Sequence, residues 1–293
     1  STGTLNLNQG LRTEGNLLIE ANQVTNGDNG KLSGVGVGLS LGQNFGTSSD
    51  FISISTERLA LGTNPTVDFF LETGGEGQDL TWVDSLTVGN KTITGNQANR
   101  LEHTHTDGNI VVNGGLTAND GIVLSATSTS PRNIAVNSTI NATNRAELRA
   151  TGSITQGTSG ANTGLVDSSA ILLDAGADIG ALNNDQQING GTLALSAGNS
   201  AFVQDRTGDL EVVSDGTLSN PLGADQDLRI RVDNGDLTLS NDITATNAAF
   251  VAGTDLTLNA QTTGPDIFIN GNVNAGQNLV FLATGDIVSG TGA

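Results

Sequence analysis

Gly191-Thr192-Leu193-Ala194-Leu195, Gly208-Asp209-Leu210-Glu211-Val212 and Gly235-Asp236-Leu237-Thr238-Leu239 repeat one phrase: a Gly, Asp or Asn turn, then apolar and polar residues in alternation. Period two puts every second side chain on one face, so each phrase reads as a short strand with one buried face. The phrase returns at Gly108-Asn109-Ile110-Val111-Val112, Asp120-Gly121-Ile122-Val123-Leu124 and Thr254-Asp255-Leu256-Thr257-Leu258. Its leucines step by 17 from Leu193 to Leu210, by 18 to Leu228, and by 19 and 23 from Leu237 through Leu256 to Leu279. A unit this short cannot bury its apolar face alone, so copies must stack, about 20 residues to a circuit. The shorter steps of 12, from Ile110 to Ile122 to Ile134, read as successive strands within one circuit.

Composition points the same way. The 293 residues hold 40 Gly, 4 Pro and 3% aromatics, a profile of many short strands joined by turns. No window carries apolar residues at i, i+3, i+4 and i+7 for three turns, so helix is expected to be close to absent. Asn-Gly pairs at Asn26, Asn113, Asn189, Asn234 and Asn270 are formally hairpin signals and would suit an antiparallel sandwich. The likeness of the phrases, their shortness and the small residues at their corners favour a parallel β-helix over residues 105–293. Residues 1–104 are less regular and hold Phe45, Phe51, Phe69, Phe70 and the only tryptophan, Trp82. Thr4-Leu5-Asn6-Leu7 and Gly15-Asn16-Leu17-Leu18-Ile19 still scan as coil strands. Val35 to Val88 reads as longer strands pairing outside the coil, a capping or inserted subdomain.

Charge narrows the partners. Eleven basic residues stand against 30 acidic ones, a net of -19, and Lys31 and Lys91 lie far apart without a basic cluster. Nucleic acid and anionic membrane are poor partners for such a surface. Cysteine is absent, which removes disulfides and thiolate chemistry. No run of about 18 apolar residues is present to span a membrane as a helix. The chain begins at Ser1 without an apolar signal region, which is expected of a mature or excised segment.

The stretches Gly152-Ser153-Ile154-Thr155-Gln156, Ala170-Ile171-Leu172-Leu173-Asp174-Ala175-Gly176-Ala177-Asp178-Ile179-Gly180 and Gly191-Thr192-Leu193-Ala194-Leu195-Ser196-Ala197-Gly198 resemble the coil repeats of filamentous-haemagglutinin-type exoproteins. That group includes large bacterial surface adhesins with pectin-lyase-like β-helices. The resemblance covers about residues 105–293. It implies a right-handed parallel β-helix, export to the extracellular bacterial cell surface, and a structural or adhesive role rather than an enzymatic one. Its expected partners are further coils of the same polypeptide or a second copy, and surface glycans. The Asn-Pro-rich signature of that family's secretion module does not appear, since Asn64-Pro65 and Asn220-Pro221 sit in other contexts.

Candidate chemistry is sparse. On a strand His103, His105 and Asp107 share a face, and two imidazoles with a carboxylate are donors for a divalent cation; the competing reading is a polar strand end. No other cofactor is expected. Gly74-Gly75-Glu76-Gly77-Gln78-Asp79 matches the start of a calcium-binding nonapeptide, but it occurs once, and such sites form between adjacent copies. The alternative function is a polysaccharide-active β-helix enzyme, which needs paired carboxylates or calcium with a basic residue. Its candidates are two acidic neighbourhoods, Asp167, Asp174 and Asp178, and Asp205, Asp209 and Asp215, for which turn caps are the plainer explanation. The apolar stretch from Asn278 to Val288 has no polar cap in sequence, which suggests further coils or head-to-tail docking, with residues 1–104 as the receptor.

Leu237, Leu256 and Leu279 are expected in related inward columns, with Thr238 and Thr257 outward. Leu256→Asp is then costly and Thr257→Asp mild. Far-ultraviolet circular dichroism should show β-structure with helix well under about a fifth of residues; a larger helical signal contradicts the reading.

Overall fold

In a computed structural model that describes residues 3–26, 30–74, 77–157, 164–252 and 266–289, the chain is all-β. Among the described residues there is no α-helix, and therefore none long and apolar enough to cross a membrane. The strands form long parallel sheets, the largest of seven and twenty strands. With the exception of one antiparallel hairpin, the described strands pair in parallel with strands roughly 20 to 30 residues further along, an arrangement compatible with a β-helix. The parallel order leaves no room for the sandwich that the Asn-Gly pairs allowed.

The apolar alternation becomes stacked columns. Leu80, Ile110, Ile134, Ile154, Ile179, Ala201, Leu228, Ala248 and Leu279 are successive register partners. Phe69, Leu101, Ile122, Ala146, Ile171, Leu193, Val212, Leu239 and Ile269 make a second column. A corner column narrows to alanine at Ala126, Ala150, Ala175, Ala197 and Ala224. Each large apolar side chain removed from water in these columns contributes about 1.5–3 kcal/mol. The buried core is continuous from Leu7 to Ile267.

Ile110 pairs with Ile134 while Ile122 stands in the second column, so the 12-residue steps lead from one column to another and back. The leucine series divides differently from the expected one. Leu193 pairs with Val212, Leu210 with Leu237, and Leu228 with Ala201, so those leucines occupy separate columns. Leu237 likewise stacks on Ile267, whereas Leu279 stacks on Ala248. Loop lengths vary from circuit to circuit, and equal sequence spacing therefore does not mean equal position. Leu256 and Thr257 lie outside the described residues.

Turn residues form their own ladders. Asp79, Asn109, Asn133, Ser153, Asp178 and Ser200 each stand just before a first-column residue and accept the backbone N–H of the next rung at 2.7–3.4 Å. Asp209, Asp236 and Asp266 do the same, at 2.6–3.0 Å, for Asp236, Asp266 and Asp286. A short side-chain acceptor satisfies an amide that the strand ladder does not reach, which is why Asp, Asn and Ser occupy these positions.

Parallel pairing crosses residue 104 without interruption: Asp68–Thr73 pairs with Arg100–His105, which pairs with Gly121–Ala126. Within Val35 to Val88 the strands Gly36–Leu41, Ile52–Ser55, Arg58–Leu61 and Asp68–Thr73 also pair in parallel rather than outside the sheets. The exception is Ser85–Val88, antiparallel to Lys91–Thr94 and turning at Gly89-Asn90. This hairpin lies on the outer sheet face, burying Leu86 and Ile93. Glycine at 36 and 38 makes room for it, since a Cβ at Gly36 would meet Leu86 at 2.9 Å and one at Gly38 would meet Ile93 at 3.3 Å.

Ile134→Asp should lower unfolding free energy by more than about 3 kcal/mol and the outward Ala135→Asp by less than about 0.5 kcal/mol, read by chemical denaturation. Asn133→Ala should cost about 1 kcal/mol by stranding the Ser153 amide. Equal tolerance at 134 and 135 would mean the faces are reversed.

Candidate functional site

The strand Arg100–His105 alternates so that Leu101, His103 and His105 point inward. Its neighbours place His103 between Leu71 and Leu124, and His105 between Thr73 and Ala126. Both imidazoles are buried. Buried polar groups need partners, and these have them at all four ring nitrogens. Trp82 Nε1–H donates to His103 Nδ1 at 3.4 Å, and the two rings meet edge to face with centroids 5.5 Å apart. Thr73 Oγ1 lies 2.7 Å from His103 Nε2 and 2.8 Å from His105 Nδ1. His105 Nε2 lies 3.0 Å from the Gln78 carbonyl.

The two ends of this chain assign its protons. Indole N–H can only donate, so His103 Nδ1 accepts and its Nε2–H donates to Thr73. A carbonyl can only accept, so His105 donates from Nε2–H and its Nδ1 accepts the Thr73 hydroxyl proton. Every bond is satisfied with both rings neutral. Burial, with repulsion from His105 second, lowers the His103 pKa to about 3. Burial also lowers that of His105, against the Gln78 and Thr73 hydrogen bonds and the charges of Asp107 and Asp79.

As a metal set the trio is poorly disposed. Asp107 lies beyond the strand end, half-buried, and a cation at the imidazoles would have to break a hydrogen bond for each lone pair taken. Among the described residues no three His, Asp or Glu side chains gather as a metal requires. Gly75 and Glu76 of the glycine-rich motif lie outside the described residues, and Asp79 Oδ1 holds the Asn109 backbone and side-chain N–H groups, both at 2.9 Å.

The acidic neighbourhoods resolve into separate tasks. Asp178 and Asp209 are ladder rungs. Asp174 accepts from Arg149 at 2.8 Å and from the Ser219 hydroxyl at 2.6 Å. Asp215 pairs with Arg145 at 2.9 Å and receives the Thr217 hydroxyl, which holds its carboxyl below the ordinary range. Arg149 also donates to the Thr217 carbonyl at 2.7 Å. These contacts tie the loop 213–222 across the outer sheet face, where Leu172 and Ala194 are buried although they face outward. Asp167 joins neither set of contacts, and Asp205 faces the interior.

One cleft of about 290 Å³ has Arg12, Glu14 and Glu57 among lining hydroxyl residues. Another of about 480 Å³ is lined by small residues such as Ala224, Thr244 and Asn274, with Asp225 the charged one. Comparison with protein-family models, curated proteins and solved structures gave no match.

Acid should loosen the chain at the histidines. Their folded pKa values lie below the unfolded 6.5, so the unfolded state takes up protons first and stability falls as pH drops below about 6.5. The loss runs up to about 1.4 kcal/mol per pH unit for each ring until its folded value is reached. Thermal melts of wild type and His103→Leu should diverge in their pH slopes below about 6.5, the variant being flatter; parallel slopes would show that the rings are already charged.

Proposed function

We propose that this chain is a right-handed parallel β-helix segment of a bacterial cell-surface exoprotein of the filamentous-haemagglutinin type, working as an extracellular structural or adhesive fibre. The observation that carries the reading is the succession of parallel register partners that stacks one inward column from Leu80 to Leu279. A rod built this way carries load along its axis through backbone hydrogen bonds spaced about 4.8 Å apart. Nine levels from Leu80 to Leu279 would extend about 40 Å. The net charge of -19 suits a soluble surface that repels nucleic acid.

The occupant of the last described edge follows from its chemistry. Leu279, Val280, Ile287 and Val288 are exposed, and Phe281 stacks on Phe250 with ring centroids 5.3 Å apart. Another circuit, from the same polypeptide or from a second copy, continues both the apolar columns and the strand ladder. Surface glycans are the partners that an acidic, hydroxyl-rich rod meets at a cell surface.

One observation favours a second reading, a polysaccharide-active enzyme. The cleft at Arg12, Glu14 and Glu57 combines two carboxylates with a basic group. The earlier carboxylate candidates are occupied elsewhere, Asp174 with Arg149 and Asp215 with Arg145.

Electron microscopy and sedimentation should find a thin rod or end-to-end filament whose frictional ratio exceeds that of a compact sphere. A compact particle would overturn the fibre reading. Release of reducing ends from a bacterial or host polysaccharide, abolished by Glu14→Gln or Glu57→Gln, would establish the enzyme instead.

A further inference from the structure

A second polar group lies inside the sheets, away from the histidines. Ile140, Val166, Ile188, Val232 and Ala252 belong to one inward column, and between Ile188 and Val232 stands Asp205. The alternation of Ala201–Asp205 turns Ala201, Val203 and Asp205 inward, and Asp205 has no solvent exposure. Its Oδ1 accepts the Gly190 amide at 3.2 Å, while Oδ2 is buried without a hydrogen-bond partner. On the adjacent strand Gln186–Ala197 the buried Gln186 Oε1, Asn189 Oδ1 and Ser196 Oγ also lack partners, and Gln186 is the register partner of Val203.

While Asp205 is ionised, its buried Oδ2 carries charge with no donor to meet it. Carboxylate Oδ2 and amide Oε1 are both acceptors, and an unpaired buried charge is far costlier than an unpaired neutral group. A proton on Asp205 removes the buried charge and leaves Oδ2 a neutral hydroxyl, a far smaller cost inside the sheets.

We propose that Asp205 is a proton-operated latch: as the neutral acid it closes the seam between Gln186–Ala197 and Ala201–Asp205, and on losing its proton it loosens that seam. The surroundings set the direction. Gln186–Ala197 carries no titratable side chain. On the other side, Asp227 is exposed, Arg229 is paired with Asp185, and Arg231 with Asp233. The Arg206 guanidinium is drawn to Gln187 at 3.1 Å. The charges that Asp205 feels are those of Asp233 and Asp167, both negative. Burial first, and these two carboxylates after it, push the Asp205 carboxyl up to about 7 against the pull of the Gly190 and Arg206 amides. A folded value above the unfolded 3.8 means that the stabilisation is complete below 3.8 and is lost as pH rises through about 7. This is opposite in sense to the histidines.

Wild type is compared with Asp205→Asn, which keeps the shape and a donor at every pH, and with Asp205→Val, which matches the column. Thermal melts and amide hydrogen exchange are run from about pH 5 to about pH 8, and the wild-type-minus-variant difference is read, so that the histidines, common to all three, cancel. The expected result is a wild type that falls by several degrees against both variants as pH rises, with the Gly190 and Val203 amides losing about tenfold or more of their protection. If Asp205→Asn does not fold, the Asp205→Val comparison carries the same readout. A pH-independent difference, with Gly190 protection unchanged, overturns the latch. So does a wild-type Asp205 carboxyl resonance that titrates at the ordinary aspartate value.

Discussion

Parallel pairing directs the hydrogen-bonding edge of each strand at the next strand in register, so a residue in the sheet stands on its counterpart in the strand before it. Once that register is set, a side chain is chosen by its column rather than by its sequence neighbours. Inward columns take Leu, Ile and Val; the tight corner takes Ala from Ala126 to Ala224. The turn position takes Asp, Asn or Ser because one acceptor is wanted per circuit. Loops between the columns are free to vary, since they enter neither the ladder nor the interior.

Two departures from the columns carry the titratable interior. At His103 and His105 two polar side chains replace apolar ones in adjacent columns, and Trp82, Thr73 and the Gln78 carbonyl complete a chain with no proton missing. At Asp205 a single carboxyl replaces one apolar residue and is left half-satisfied. The first arrangement is stable with its rings neutral and weakens in acid. The second is stable with its carboxyl protonated and weakens in base. The interior thus favours a band of pH rather than one extreme.

The outer faces are covered where they are apolar. The hairpin Ser85–Val88 and Lys91–Thr94 lies over glycines 36 and 38, and the loop 213–222 lies over Leu172 and Ala194. The loop is held by Arg145 and Arg149, and the hairpin by the packing of Leu86 and Ile93 together with the Lys91–Glu20 ion pair. Arg149, Asp174 and Ser219 fix one place on the strap, and Arg145 with Asp215 another. These carboxylates lay close enough in sequence to suggest chemistry. Their partners, 45 residues away for Asp174 and Ser219, give them a structural task instead.

The amino-acid sequence by itself determined strand, face and turn. Alternation in Gly108–Val112 or Gly208–Val212 is a property of neighbouring residues, and so is the scarcity of helix. Steps of 12 from Ile110 to Ile134 also separated strands of two columns. Only the tertiary structure decided the columns, because circuits of unequal length bring Leu193 to Val212 and Leu210 to Leu237, which no fixed spacing indicates. It likewise decided that His103 and His105 share a hydroxyl from Thr73, a residue 30 or more positions away, and that Asp205 faces inward instead of capping a turn. A strand end and a turn look alike in sequence; which side of the sheet the last side chain takes depends on the strands stacked on either side of it.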